Sequence, residues 1–238
     1  MPSYSGFDIA KRSLSLSKTY VVISIGLSIF ALGLANTWTL LSGLTTTGIP
    51  PTTNIELAST YPLISVPLMV FATLTFTTPV ILLYVYDKNN GMLEYFLSLG
   101  MDQRDVYMSY LRAALVLAGA MLSYEIVANI GLSIITKAGQ LLVIEETILA
   151  LVVGLPVVSL VTIIMMAFST MQKQRVGSNQ PLGIGIGVLL VLPTYFVPFL
   201  PSSFVLPAEL VIATIITVLS LTMFLLASTL IKREKMLP

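Results

Sequence analysis

The 238-residue chain contains no cysteine and no histidine. These two absences exclude disulfides, thiol nucleophiles, zinc sites of the usual Cys/His kind and every histidine-based triad or proton relay. Charge is scarce as well: 10% of the residues are Asp, Glu, Lys or Arg, against about 25% in ordinary soluble domains. Twelve basic residues stand against eleven acidic ones, a net of +1, so there is no general basic field to hold nucleic acid. What is abundant is apolar. A hydrophobic share of 56% leaves too little polar surface to cover a soluble globule, and a lipid bilayer is the solvent that fits.

Apolar stretches long enough to cross a hydrocarbon core of about 30 Å, at 1.5 Å per helical residue, fall near 20–44, 62–86, 107–133, 146–170, 181–200 and 208–231. The polar residues 1–18, with Lys11, Arg12 and Lys18, precede an apolar run too long for the ~7–15 residue core of a signal peptide, so the first run is expected to remain as a membrane helix. The expected fold class is therefore all-α: a polytopic membrane protein with six transmembrane helices in a single transmembrane domain over 1–238. Residues 1–18 form an N-terminal amphipathic segment, with an interfacial helix around 7–16 whose basic residues suit anionic headgroups. Pro193, Pro198, Pro201 and Pro207 interrupt the fifth span and its exit, and proline removes a backbone donor. Residues 194–207 are accordingly read as an outer re-entrant segment packed on the bundle.

Orientation follows from the basic residues, which cytoplasmic loops hold in excess. Lys11, Arg12, Lys18, Lys88, Arg104, Arg112, Lys173, Arg175, Lys232, Arg233 and Lys235 fall on or near one side, and Lys137 alone on the other. This places both termini in the cytoplasm of a multi-pass protein of the cell (plasma) membrane, as an even number of crossings requires.

The polar link at 87–105 has a legible design. From Met92 to Leu99 the residues favour helix, with Glu94 and Ser98 on one face and Leu93, Phe96 and Leu97 on another, so a short interfacial helix is expected. Gly100 would end it in the left-handed position. Asp102 then caps the next helix, with Asp105 in its first turn. The product is a stiff hairpin in which a push on the short helix passes to a long one.

These residues resemble a known family. Asp87-Lys88-x-x-Gly91-x-Leu93-Glu94, then Phe96-Leu97-Ser98-Leu99 and Asp102-x-Arg104-Asp105-Val106-Tyr107, are similar to the loop between the second and third helices of ABC-2 type transporter permeases. Met92 stands where that family usually has Thr or Ser, and Gly100 where it commonly has Pro. Leu99-Gly100 and Arg104-Asp105 also resemble FtsX/MacB-type permeases, which normally have four spans and a large extracytoplasmic domain. The ABC-2 resemblance implies the permease subunit of an exporter working as a dimer with a second permease copy or a paralogue. A separate ABC ATPase subunit would carry ATP and Mg, and this chain would carry no cofactor. Gly91, Leu93, Glu94, Phe96, Leu97, Gly100, Asp102 and Arg104 would then form the ATPase-coupling site, with Glu94 pairing with a basic residue of the ATPase. The alternatives are a non-transporting assembly or regulatory subunit on the same scaffold and a mechanotransmission permease of the FtsX/MacB kind.

No segment fits G-x-x-x-x-G-K-[ST], and Gly183-x-Gly185-x-Gly187 lies in an apolar run where small residues serve close helix packing. Arg112, about 9 Å beyond Val106 along its helix, can snorkel to headgroups or pair with an acid. Glu125 lies about 28 Å beyond Val106, one turn before Asn129, and the two are candidates for a transport pathway unless Glu125 simply reaches the outer interface. Glu145 and Glu146 are expected to open the fourth span as partners of its helix dipole. An intramembrane enzyme is not expected: no histidine is available, and Asp8, Asp87, Asp102 and Asp105 all fall in cytoplasmic or interfacial segments. Neither catalytic nor metal-binding residues are assigned.

Overall fold

A computed structural model describes residues 6–30, 62–136, 140–171 and 202–230. Among them the chain forms seven helices and no strand: α1 (Gly6–Leu16), α2 (Lys18–Phe30), α3 (Pro62–Asn89), α4 (Met92–Ser98), α5 (Gln103–Thr136), α6 (Gln140–Met171) and α7 (Ser202–Leu230). The all-helical class expected from the apolar runs is what the chain adopts. α3 packs against both α5 and α6, α7 packs on α6, and α1 lies across α5 and α3.

Among the described residues two helices are long and apolar enough to cross a membrane, Leu68–Asn89 and Gln103–Gly131. α1 and α2 turn by 91° at their junction and would supply a third span if taken together. Shorter apolar stretches, Leu151–Ala167 and Leu210–Met223, lie within α6 and α7. The segment expected as the fifth span, 181–200, lies outside the described residues, as do 31–61. Helices of this length and apolarity mark a chain that associates with a membrane.

Three expectations are corrected at element ends. α6 begins at Gln140 and has no acid in its first turn. Glu145 and Glu146 therefore stand in its second turn, beyond the reach of the orphan N–H groups that make the helix N-terminus attractive to acids. Residues 202–207, assigned to a re-entrant segment, are instead the opening turns of α7, which continues through Pro207. A proline this close to the start deletes an early hydrogen bond without forcing the chain out of helix. Residues 194–201 lie outside the described residues. The basic face of α1 is the third correction, taken up with the site below.

The bundle has one core beneath the α3–α5 hairpin and another at mid-bundle. The first combines Ile9 and Ala10 of α1, Val80, Leu83 and Tyr84 of α3, Leu93, Phe96 and Leu97 of α4, and Val106, Tyr107 and Tyr110 of α5, with Ile163 and Met166 of α6. The second joins Val70, Leu74 and Ile81 of α3 to Val153, Val157 and Val161 of α6 and Ala213 and Ile216 of α7. Gly154 of α6 faces Leu122 of α5 and Val70 of α3 at 3.6 Å from where its Cβ would stand, close packing of a kind common between membrane helices.

Candidate functional site

The hairpin between α3 and α5 is built by two glycines. Gly91 has φ 73° and Gly100 φ 82°, a region that costs other L-residues roughly 1–2 kcal/mol. Gly91 serves twice: its N–H reaches the Lys88 carbonyl at 3.3 Å to close α3, and its own carbonyl accepts the Tyr95 N–H at 2.9 Å to open α4. At the other end the Met101 N–H donates to the Phe96 carbonyl and the Gly100 N–H to the Leu97 carbonyl, both at 3.2 Å. This paired closure is a Schellman motif, and Met101 adds the apolar contact that accompanies it by packing on the cluster that contains Phe96. The Asp102 carbonyl accepts the Val106 N–H at 3.1 Å, so Asp102 is the residue at which α5 begins.

Burial divides the hairpin into a root and a face. Leu93, Phe96 and Leu97 are buried, whereas Glu94, Tyr95, Ser98, Leu99, Gly100, Asp102 and Arg104 are exposed and Gly91 is half-buried. An open depression of about 580 Å³ lies between the two helices, lined by Leu97, Ser98, Gly100, Met101, Asp102 and Gln103. The sequence-expected residues thus separate into anchors (Leu93, Phe96, Leu97), hinges (Gly91, Gly100) and a presented set (Glu94, Asp102, Arg104). Tyr95 and Leu99, more than half exposed, belong to the presented set as well. Neither was among the coupling residues that the resemblance implied, although their spacing from Glu94 and Ser98 places them on that face.

Behind the hairpin is a polar clamp that joins residues far apart in sequence. Arg12 grips Asp87 with both guanidinium nitrogens, Nη2 to Oδ1 at 2.9 Å and Nη1 to Oδ2 at 3.2 Å. The Tyr110 hydroxyl donates to Oδ2 of the same carboxylate at 2.6 Å. Asp87 is fully buried, so these donors replace the water it has lost. Tyr84 stacks edge-on against Tyr110 and Tyr107, with centroids 5.1 and 6.5 Å apart, and the Tyr107 hydroxyl donates to the Ile163 carbonyl at 3.0 Å. α1, α3, α5 and α6 are thereby tied together directly beneath α4. Arg12 therefore faces a buried acid and not lipid headgroups, while Lys11 and Lys18 remain exposed. The signal in the sequence was Asp87 itself, an acid at the end of an apolar helix that needs a cation once covered.

A second polar group lies deeper in the bundle. Glu125 of α5 is 1% exposed and reaches no surface. Thr73 of α3 lies 3.5 Å from its Oε2, and Ser28 of α2 stands beside the same carboxyl. Asn129, one turn further along α5, is buried too. Arg112 is exposed near the start of α5, where Gly6 of α1 packs so closely that an added Cβ would meet the Arg112 Cβ at 3.0 Å. Among the described residues no group of three or more Asp and Glu is placed to hold a metal ion.

No protein-family model, no curated protein and no solved structure matches the chain. Fold and site define it as an all-helical, membrane-associating protein with a rigid hairpin presented at one end.

Proposed function

We propose that the chain is the permease subunit of an ABC-2 type transporter, an exporter driven by ATP that a separate ATPase subunit hydrolyses. The observation that carries this reading is the hairpin: a short helix whose apolar side is fixed in the core and whose outer side exposes Glu94, Tyr95, Ser98 and Leu99, with an open depression at its C-terminal turn. A helix so mounted transmits force, because Schellman closure and the Asp102 start leave no slack between α4 and α5. In this reading the ATPase binds the presented face and Glu94 pairs with one of its basic residues. Its motion tilts α4 and α5 and opens a dimer interface with a second copy or paralogue. The remaining apolar stretches complete six spans with both termini in the cytoplasm, and Glu125 and Asn129 border the pathway. The chain itself performs no catalysis.

The test is co-purification. The tagged protein, extracted from its native membrane in mild detergent, is expected to bring down an ATPase that Glu94→Arg releases while the variant still folds. Absence of an ATPase from both samples would refute the reading and favour a non-transporting membrane scaffold.

A further inference from the structure

The Thr73 hydroxyl has a single proton, and it is donated to the Met69 carbonyl at 2.9 Å. The 3.5 Å approach of Thr73 Oγ1 to Glu125 Oε2 therefore becomes a hydrogen bond only if the carboxyl supplies the proton. Oε1 of Glu125 and the neighbouring Ser28 hydroxyl make no well-formed hydrogen bond, so an ionised carboxylate here would have no donors beyond the Ser28 and Thr73 hydroxyls beside it. Among the described residues counter-charge is remote. On α5 the nearest basic residue is Arg112, 13 positions and about 20 Å away; on α2 it is Lys18, 10 positions and about 15 Å from Ser28; on α3 it is Lys88, 15 positions and about 22 Å from Thr73. The other titratable groups on these elements are Tyr124, exposed beside Glu125, with Arg104, Asp105, Tyr107 and Tyr110 at the start of α5, Tyr20 on α2, and Tyr84, Tyr86 and Asp87 at the far end of α3. Glu145 and Glu146 on α6 and Glu209 on α7 are acids as well. Nothing among these groups offers a cation to a buried carboxylate, whose isolated charge in an apolar medium is strongly disfavoured.

We infer that Glu125, Thr73 and Ser28 form a proton-binding site at the meeting of α2, α3 and α5. Glu125 is held as the neutral acid, donates its O–H to Thr73, and releases that proton when the three helices part and water enters. The inference rests on these three helices and not on the transporter reading. It makes opening of this part of the bundle a proton-linked step, whatever drives it.

The experiment uses the full chain in lipid nanodiscs. Its infrared spectrum at neutral pH is expected to contain a protonated-carboxyl C=O band that is lost in Glu125→Gln. The band should move to higher frequency in Thr73→Val, which keeps the acid and removes its acceptor. A neutral-pH spectrum without the band, or a band unmoved by Thr73→Val, overturns the proposal. A wild-type melting temperature that rises with sodium or potassium but not in Glu125→Gln also overturns it, by assigning the site to a metal cation.

Discussion

Arg12, Asp87 and Tyr110 show how one buried acid organises its surroundings. Asp87 is fully enclosed, while its guanidinium partner retains about a third of its exposure, so removing the arginine leaves a charge that water reaches poorly. Such a loss costs about 3 kcal/mol, and Arg12→Ala is expected to lower stability by roughly that amount in detergent melting experiments. Arg12→Met combined with Asp87→Leu and Tyr110→Phe should recover most of it, because apolar side chains of similar volume replace both charges and the hydroxyl that bonds Asp87. Arg12→Lys should fall between, since an ammonium cannot span both carboxylate oxygens. Gly6 offers a separate test. A side chain there collides with the Arg112 Cβ and with the Ala113 backbone, so Gly6→Val is expected to loosen α1 from α5 and raise its proteolytic sensitivity.

Among the elements, the hairpin is specified by its own residues. Gly91 and Gly100 hold φ values that other residues reach at a cost of about 1–2 kcal/mol. Gly100→Ala should destabilise by about that much, and Gly100→Asn by less, because asparagine tolerates the left-handed region; thermal melting of the three proteins checks the order. Glu94→Arg, on the exposed face, should change stability by no more than about 0.5 kcal/mol, so any loss of a bound partner would be attributable to the surface. α3 shows the opposite case, an element shaped by interruptions. Pro79 sits inside it and cannot donate to the Thr75 carbonyl. Around this gap Thr75, Thr77 and Thr78 turn their hydroxyls onto the carbonyls of Phe71 and Leu74 at 2.9 Å. Hydroxyls bonded back in this way bend helices and make proline tolerable in lipid.

At the scale of the whole molecule, the core beneath the hairpin joins five helices, and α4 is rooted in it through Leu93, Phe96 and Leu97. Movement of the short helix must therefore move α1, α3, α5 and α6 together, and Arg12→Ala is expected to weaken that linkage as well as stability. Topology has its own test. In the six-span arrangement a reporter fused after residue 230 reads cytoplasmic and one inserted at 137–139 reads outside, and the reverse pattern would overturn the arrangement inferred from the basic residues. The hairpin was legible in the sequence because every interaction that closes it lies within about five residues. The clamp was not, since Arg12 and Asp87 stand 75 positions apart, nor was the contact of Thr73 with Glu125, 52 positions apart.

Sequence alone determined the helical class, the apolar character that fits a membrane, and the ends of the α4–α5 hairpin. Those follow from composition, from the length of the apolar runs and from Gly91, Gly100 and Asp102, all of which act locally. Only the tertiary structure decided which polar side chains share an enclosure. α3 and α6 are apolar on every side, so no periodicity in them marks an inward face. Packing chose the rotation of each helix about its axis, and with it the meeting of Arg12 with Asp87 and of Ser28 and Thr73 with Glu125.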